Sequence, residues 1–143
     1  ELRVYHDDPN DRSQETTELF PARVYSRFTF PGRGGKYNSR VWDHTCFTGT
    51  DWDELIHQNG LYRYEGKHWA QDVDKERGNY DYLMGNDVDV CSPDVRRELS
   101  DWGHWFTDTT HCDGFRLDAP TRARSYSPWA NIGRRTCRRC WII

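Results

Sequence analysis

Residues 23–30, RVYSRFTF, set Val24, Ser26, Phe28 and Phe30 against Arg23, Tyr25, Arg27 and Thr29. A two-residue period of this kind predicts a strand with one face more apolar than the other. The stretch runs into PGRGGKYNS, where Pro31, Gly32, Gly34 and Gly35 mark a loop. A second alternating stretch, VWDHTCFT (41–48), is closed by a turn at Gly49, and a third, LYRYE (61–65), is entered through the turn signal Asn59-Gly60. Together these predict a small, irregular, mostly antiparallel sheet. The period then changes. Ser92-Pro93-Asp94 supplies an N-cap, a proline at the first helical position and an acid in the first turn, and Val95, Leu99, Trp102 and Phe106 follow at helical spacing. The expected element is an amphipathic helix from about Ser92 to Thr109. CDGFRL (112–117) then reads as a strand. Strands, helix and strand in that order are a piece of an α/β design with a β-rich unit ahead of it.

Composition changes this picture in two ways. Only 35% of the 143 residues are hydrophobic, but the chain holds 7 Trp, 8 Tyr and 6 Phe, so aromatic rings must supply most of the burial. The net charge of −3 conceals two unlike parts: residues 120–143 carry six arginines and no acid, which leaves −9 on residues 1–119. No leader-like segment and no long apolar run is present, so neither a signal peptide nor a membrane span is expected from these residues. Five cysteines form no regular framework, and Cys137-x-x-Cys140 lacks the second ligand pair that a structural zinc needs.

The candidate chemistry lies in two places. In HCDGFRLDAPTR (111–122), an extended backbone puts Gly114, Arg116 and Asp118 on one face and Phe115 and Leu117 on the other. A retaining glycosidase needs an ionised carboxylate as nucleophile, and a guanidinium beside Asp118 would hold it ionised; a surface Arg–Asp pair at a strand end is the other reading. In NYDYLMGNDVDV (79–90), Asp87 and Asp89 project to the same side of an extended chain, near Asp81, and offer hard oxygen donors of the kind calcium takes; a solvated acidic loop is the plain reading. The tail arginines lack any nucleic-acid-binding motif, and the remainder is acidic. Trp42, Trp52, Tyr62, Tyr64 and Trp69 suit either a core or a sugar-stacking surface.

The words FTFPGRGGKYNS, GTDWDE, YRYEGKHW, GNYDYLM and DGFRLDA, in this order, closely resemble the liquefying bacterial α-amylases of glycoside hydrolase family 13, from about Asp8 to Ala119. The resemblance implies an α/β fold: a partial (β/α)8 barrel of one strand and one helix, preceded by a β-rich inserted B domain. Residues 1–90 would be that B domain, 91–119 the barrel helix and catalytic strand, and 120–143 a diverged basic tail. Asp118 would then stand at the C-terminal end of a barrel strand, where such barrels place their chemistry. By the same resemblance Asp118 is the nucleophile and Arg116 its charge partner; Tyr80 and Leu83 line the substrate cleft; Asp81 and Asp87 are calcium ligands and Asp89 a further metal ligand. The implied activity is endo-hydrolysis of α-1,4-glucosidic bonds in starch and maltooligosaccharides with retention, by a secreted monomer without nucleic-acid or membrane partners.

Three departures stand beside the matches. Thr48, Ala70 and Cys91 occupy positions where the family places further metal-binding aspartates, and Thr121 and Arg122 replace a Lys-His pair that contacts sugar. From Pro120 onward the resemblance ends, where the charge also changes sign. No acid follows Asp118, whereas retention needs a second carboxyl group as acid and base, so the 143 residues by themselves are expected to turn over little or nothing. The rival expectation is a non-catalytic β-rich piece that binds carbohydrate or is stabilised by calcium.

Overall fold

The computed structural model describes residues 1–70, 83–112, 114–116 and 140–142. In one compact unit, five strands, β1 (Leu2–His6), β2 (Phe20–Ala22), β3 (Phe47–Asp53), β4 (Gln58–Tyr64) and β5 (Asn86–Val88), form a sheet in the order β2-β1-β4-β3-β5. Every pairing in it is antiparallel. The second unit holds the helix α1 (Pro93–Thr110) and a parallel pair, β6 (Gly114–Arg116) beside β7 (Cys140–Ile142). The described residues are thus a strand-rich sheet with one long helix.

The centre of the five-stranded sheet is covered on both faces. On one face Val4, Ala22, Phe47, Tyr62 and Tyr64 are buried, with Phe20 and His6 set edge-on to the Tyr62 ring at 6.2 and 5.4 Å. Phe28 and Trp42 close on Phe47 at 5.6 and 6.1 Å. Rings therefore do supply much of this core, as edge-to-face contacts favour. Arg63 lies between Tyr62 and Tyr64 and so points to the other face, where it is buried against the fully buried Asp7. A charge can be buried there because its partner and its hydrogen bonds are buried with it.

Several expectations shift by a few residues, each for a physical reason. The segment 23–30 is not a strand: β2 ends at Ala22, and beyond it only the bridge Phe28–Trp42 pairs. Side chains take over part of its backbone bonding, Arg23 N–H donating to Asp53 Oδ1 and Asn86 Nδ2 donating to the Tyr25 carbonyl, while the Arg23 carbonyl accepts from Glu54 N–H. Residues 44–46 form a 3₁₀ turn, capped by Asp43 accepting from Thr45 N–H, and β3 begins after it. Gly49 is no turn but the middle of β3: a Cβ there would lie 2.7 Å from the Trp69 ring, so glycine lets the indole rest on the sheet. Asn59 and Gly60 are likewise inside β4. The real hairpin turn is residues 54–57, fixed by Asp53 Oδ1 accepting from Leu55 N–H and by His57 in the left-handed region.

The helix falls where its periodicity places it. Pro93 is its first residue, the Ser92 carbonyl accepts from Arg96 N–H, and His111 ends it with positive φ and an N–H bond to the Thr107 carbonyl. Ser92 caps without a side-chain bond to the first turn. Its most buried positions are Val95 and Gly103, whereas Trp102, expected on the packed stripe, is 36% exposed and stacks obliquely on Phe106 at 5.3 Å. Of the strand expected at 112–117, residues 114–116 appear as β6, while 113 and 117 lie outside the described residues.

Candidate functional site

Of the seven candidate site residues, Tyr80, Asp81 and Asp118 lie outside the described residues, and of Arg116 only its place as the last residue of β6 is described, opposite Ile142. Leu83, half-buried, precedes β5. Asp87 and Asp89 lie on and just after that strand, and their surroundings are built by the sheet.

β5 is only three residues long, and side chains add to the backbone pairing with β3 that holds it. Asn86 faces Thr50 and Asp87 faces Gly49 across β3. The Tyr64 hydroxyl donates to Asn86 Oδ1 at 2.7 Å, and Asn86 in turn donates to Tyr25. Burial pushes the Tyr64 hydroxyl far above the ordinary phenol range, so it stays a donor well into alkaline pH. Ahead of the strand, Gly85 N–H donates to Asp51 Oδ2 and the Gly85 carbonyl accepts from Asp51 N–H.

Asp89 has a partner that spacing alone did not reveal. The Lys67 ammonium sits 2.6 Å from Asp89 Oδ2 and also donates to the Thr45 carbonyl at 2.8 Å. The backbone at both ends is fixed: Asp89 N–H donates to the Cys46 carbonyl, Lys67 N–H to the Tyr64 carbonyl, and Arg63 Nη1 to the Lys67 carbonyl. Lys67 and Asp89 are 22 positions apart, and only the sheet order that sets β4 and β5 on either side of β3 could have shown the pairing.

The donor chemistry can be tested against calcium from this geometry. Calcium takes six to eight oxygens, several of them carboxylate. Among the described residues no group of three or more acids, histidines or cysteines stands close enough to hold a metal ion, and Asp89 is already engaged by an ammonium. Thr48, buried in β3, Ala70 and Cys91 add no carboxylate. The described part of the expected ligand set therefore does not fit a calcium ion.

The second charged cluster, which the sequence pattern also concealed, is the buried one. Asp7 accepts from Arg63 Nε at 2.8 Å, from Arg63 Nη2 at 3.4 Å and from Trp69 Nε1 at 2.7 Å, and Arg63 Nη2 also donates to Glu15 at 2.5 Å. Burial works to lower the Arg63 pKa, but its bonds to Asp7 and Glu15 outweigh this and raise it above its ordinary value. The cluster ties residues 7–15 to the sheet and anchors Trp69 over Gly49.

No family model matches the chain. Individual proteins do. The α-amylase of Geobacillus stearothermophilus is 46% identical over 114 residues, 78% of this chain and 21% of that protein. The glucan 1,4-alpha-maltohexaosidase of Bacillus sp. strain 707 is 44% identical over 121 residues, 82% of this chain and 23% of that protein. The cytoplasmic alpha-amylase of Escherichia coli is 39% identical over 122 residues, again 82% of this chain and 25% of that protein. The chain thus spans about a quarter or less of the length of the curated relatives it matches, and since one of them is named as cytoplasmic, the likeness implies no single compartment. Over some four fifths of its length this chain is homologous to one segment of the α-amylases.

Proposed function

We propose that this chain carries the nucleophile-bearing segment of a retaining α-amylase that cuts internal α-1,4 bonds of starch and maltooligosaccharides as a monomer. The observation that carries this reading is the identity of 39–46% over about four fifths of the chain to proteins two of which are named alpha-amylase, beside the word DGFRLDA, which holds Arg116 and Asp118. In the proposed reaction the Asp118 carboxylate attacks the anomeric carbon, the glucosidic oxygen leaves with a proton, and water then releases the sugar from the covalent intermediate. Arg116 keeps Asp118 ionised for the attack.

The proton must come from a second carboxyl group, about 5–5.5 Å from the nucleophile. No acid follows Asp118 in this sequence, so the segment works in the company of elements found in its full-length relatives. Under this reading the β-rich unit is the inserted domain beside the cleft, α1 and β6 belong to the barrel, and Tyr80 and Leu83 face the glucan. No step runs through calcium.

The test is a graft. Residues 8–119 replace the matching segment of the Geobacillus stearothermophilus α-amylase, and reducing sugar released from soluble starch is measured. The graft should turn over and its Asp118→Asn form should lose several orders of magnitude in kcat, while the 143-residue chain alone should not exceed its own Asp118→Asn control. A folded graft whose activity is unchanged by Asp118→Asn would sink the proposal. Binding of maltoheptaose by the chain, with no turnover in the folded graft, would favour a carbohydrate-binding role instead.

A further inference from the structure

The Lys67–Asp89 pair has the build of a permanent fixture. Both side chains are mostly shielded, at 24% and 17% exposure, so solvent screens the pair far less than an ion pair on an open surface. The lysine's backbone is fixed through its own N–H and carbonyl, bonded to Tyr64 and Arg63, and the ammonium spends a second donor on the Thr45 carbonyl. A carboxylate oxygen from one segment and a backbone carbonyl from another, converging on one positive centre, is the arrangement a divalent cation would also use to join these segments. Here the positive centre is covalently part of the chain.

We infer that the Lys67 ammonium stands in for a metal ion at Asp89, joining the end of β5 to the turn before β3 and excluding divalent cations from that carboxylate. A calcium ion approaching Asp89 meets a like charge 2.6 Å from the oxygen it would bind, and it must break that pair and the bond to Thr45 to enter. With Thr48, Ala70 and Cys91 adding no carboxylate, little compensates for that loss. The inference is independent of the glycosidase reading and concerns only what holds this corner of the sheet.

Calcium titration calorimetry on the full chain tests it, with circular dichroism to follow folding. In the chain itself and in Lys67→Arg, substituting Asp89→Asn should leave the calcium isotherm unchanged, whatever other carboxylates contribute. In Lys67→Met and in the milder Lys67→Gln, loss of the like charge should add an Asp89-dependent component to calcium binding, tightening it about tenfold or more, and Asp89→Asn should abolish the gain. Calcium binding by the unaltered chain that Asp89→Asn weakens would overturn the inference. So would neutral Lys67 variants that gain no Asp89-dependent site, or that fail to fold even in millimolar calcium, since the ion and the ammonium would then not be interchangeable.

Discussion

Replacing Asp7 by alanine is the sharpest test of what holds the five-stranded sheet together. Asp7 is completely buried, and it accepts three hydrogen bonds, two from a guanidinium that is itself only 9% exposed and one from the Trp69 indole. Removing one member of a buried pair strands the other charge, at about 3–5 kcal/mol. The indole N–H also loses its acceptor, at about 1–3 kcal/mol. Glu15 remains on Arg63 and offsets part of the first figure, since its half-exposed carboxylate can follow the guanidinium. A net loss of about 4 kcal/mol is expected, a large fraction of a small domain's stability. Asp7→Asn keeps the shape and one acceptor, so its loss should be roughly half as large. Urea unfolding followed by tryptophan fluorescence gives both values, and a double-mutant cycle with Arg63→Met isolates the pair, because the two losses should be far from additive. A loss below about 1 kcal/mol for Asp7→Ala, or a coupling energy near zero, would refute the view that this cluster is the anchor.

Gly49→Ala should destabilise by about 1–3 kcal/mol, because the new methyl group falls against the Tyr62 carbonyl oxygen, 2.7 Å from the Trp69 ring and 3.1 Å from the Arg63 Cα; a Trp69→Leu background should relieve only the ring's share of the loss in the same urea assay. Tyr64 governs the alkaline limb of the stability curve. Its folded pKa is raised by burial, so the stability it protects is complete below the ordinary phenol value of 10.0 and declines as pH rises above it. Tyr64→Phe should flatten part of that decline, leaving the part due to Tyr62, while costing about 1 kcal/mol at neutral pH for the lost bond to Asn86. Thermal melts between pH 7 and 11 would show both effects.

The helix was legible in the sequence because everything that defines it is local: a proline at its start, an acid in its first turn and apolar residues at helical spacing. The sheet was legible only in kind. Its strand boundaries depend on contacts between distant residues, such as Asp53 capturing Arg23 N–H, which ends one strand early, and Trp69 lying on Gly49, which turns a breaker into a strand centre. β1 escaped notice because five residues with a single fully buried side chain, Val4, give too little period to recognise. The candidate carboxylates were proposed from their type and order, and the resemblance in short words was sound, as the identities of 39–46% bear out. Charge partners were not found, because neither 22 positions between Lys67 and Asp89 nor 56 between Asp7 and Arg63 leaves any mark in a local window.

Among the described residues β5 sits at the rim of its sheet, with β3 as its one neighbour and three residues of length. A strand so placed opens by local fluctuation long before the sheet unfolds. Asp87 and Asp89 therefore ride on the strand most exposed to such opening, and the Tyr64–Asn86 and Lys67–Asp89 bonds are what hold it in place. Substitutions at those bonds can change how often this rim detaches, and so how quickly its amides exchange with solvent, while the midpoint of global unfolding scarcely moves.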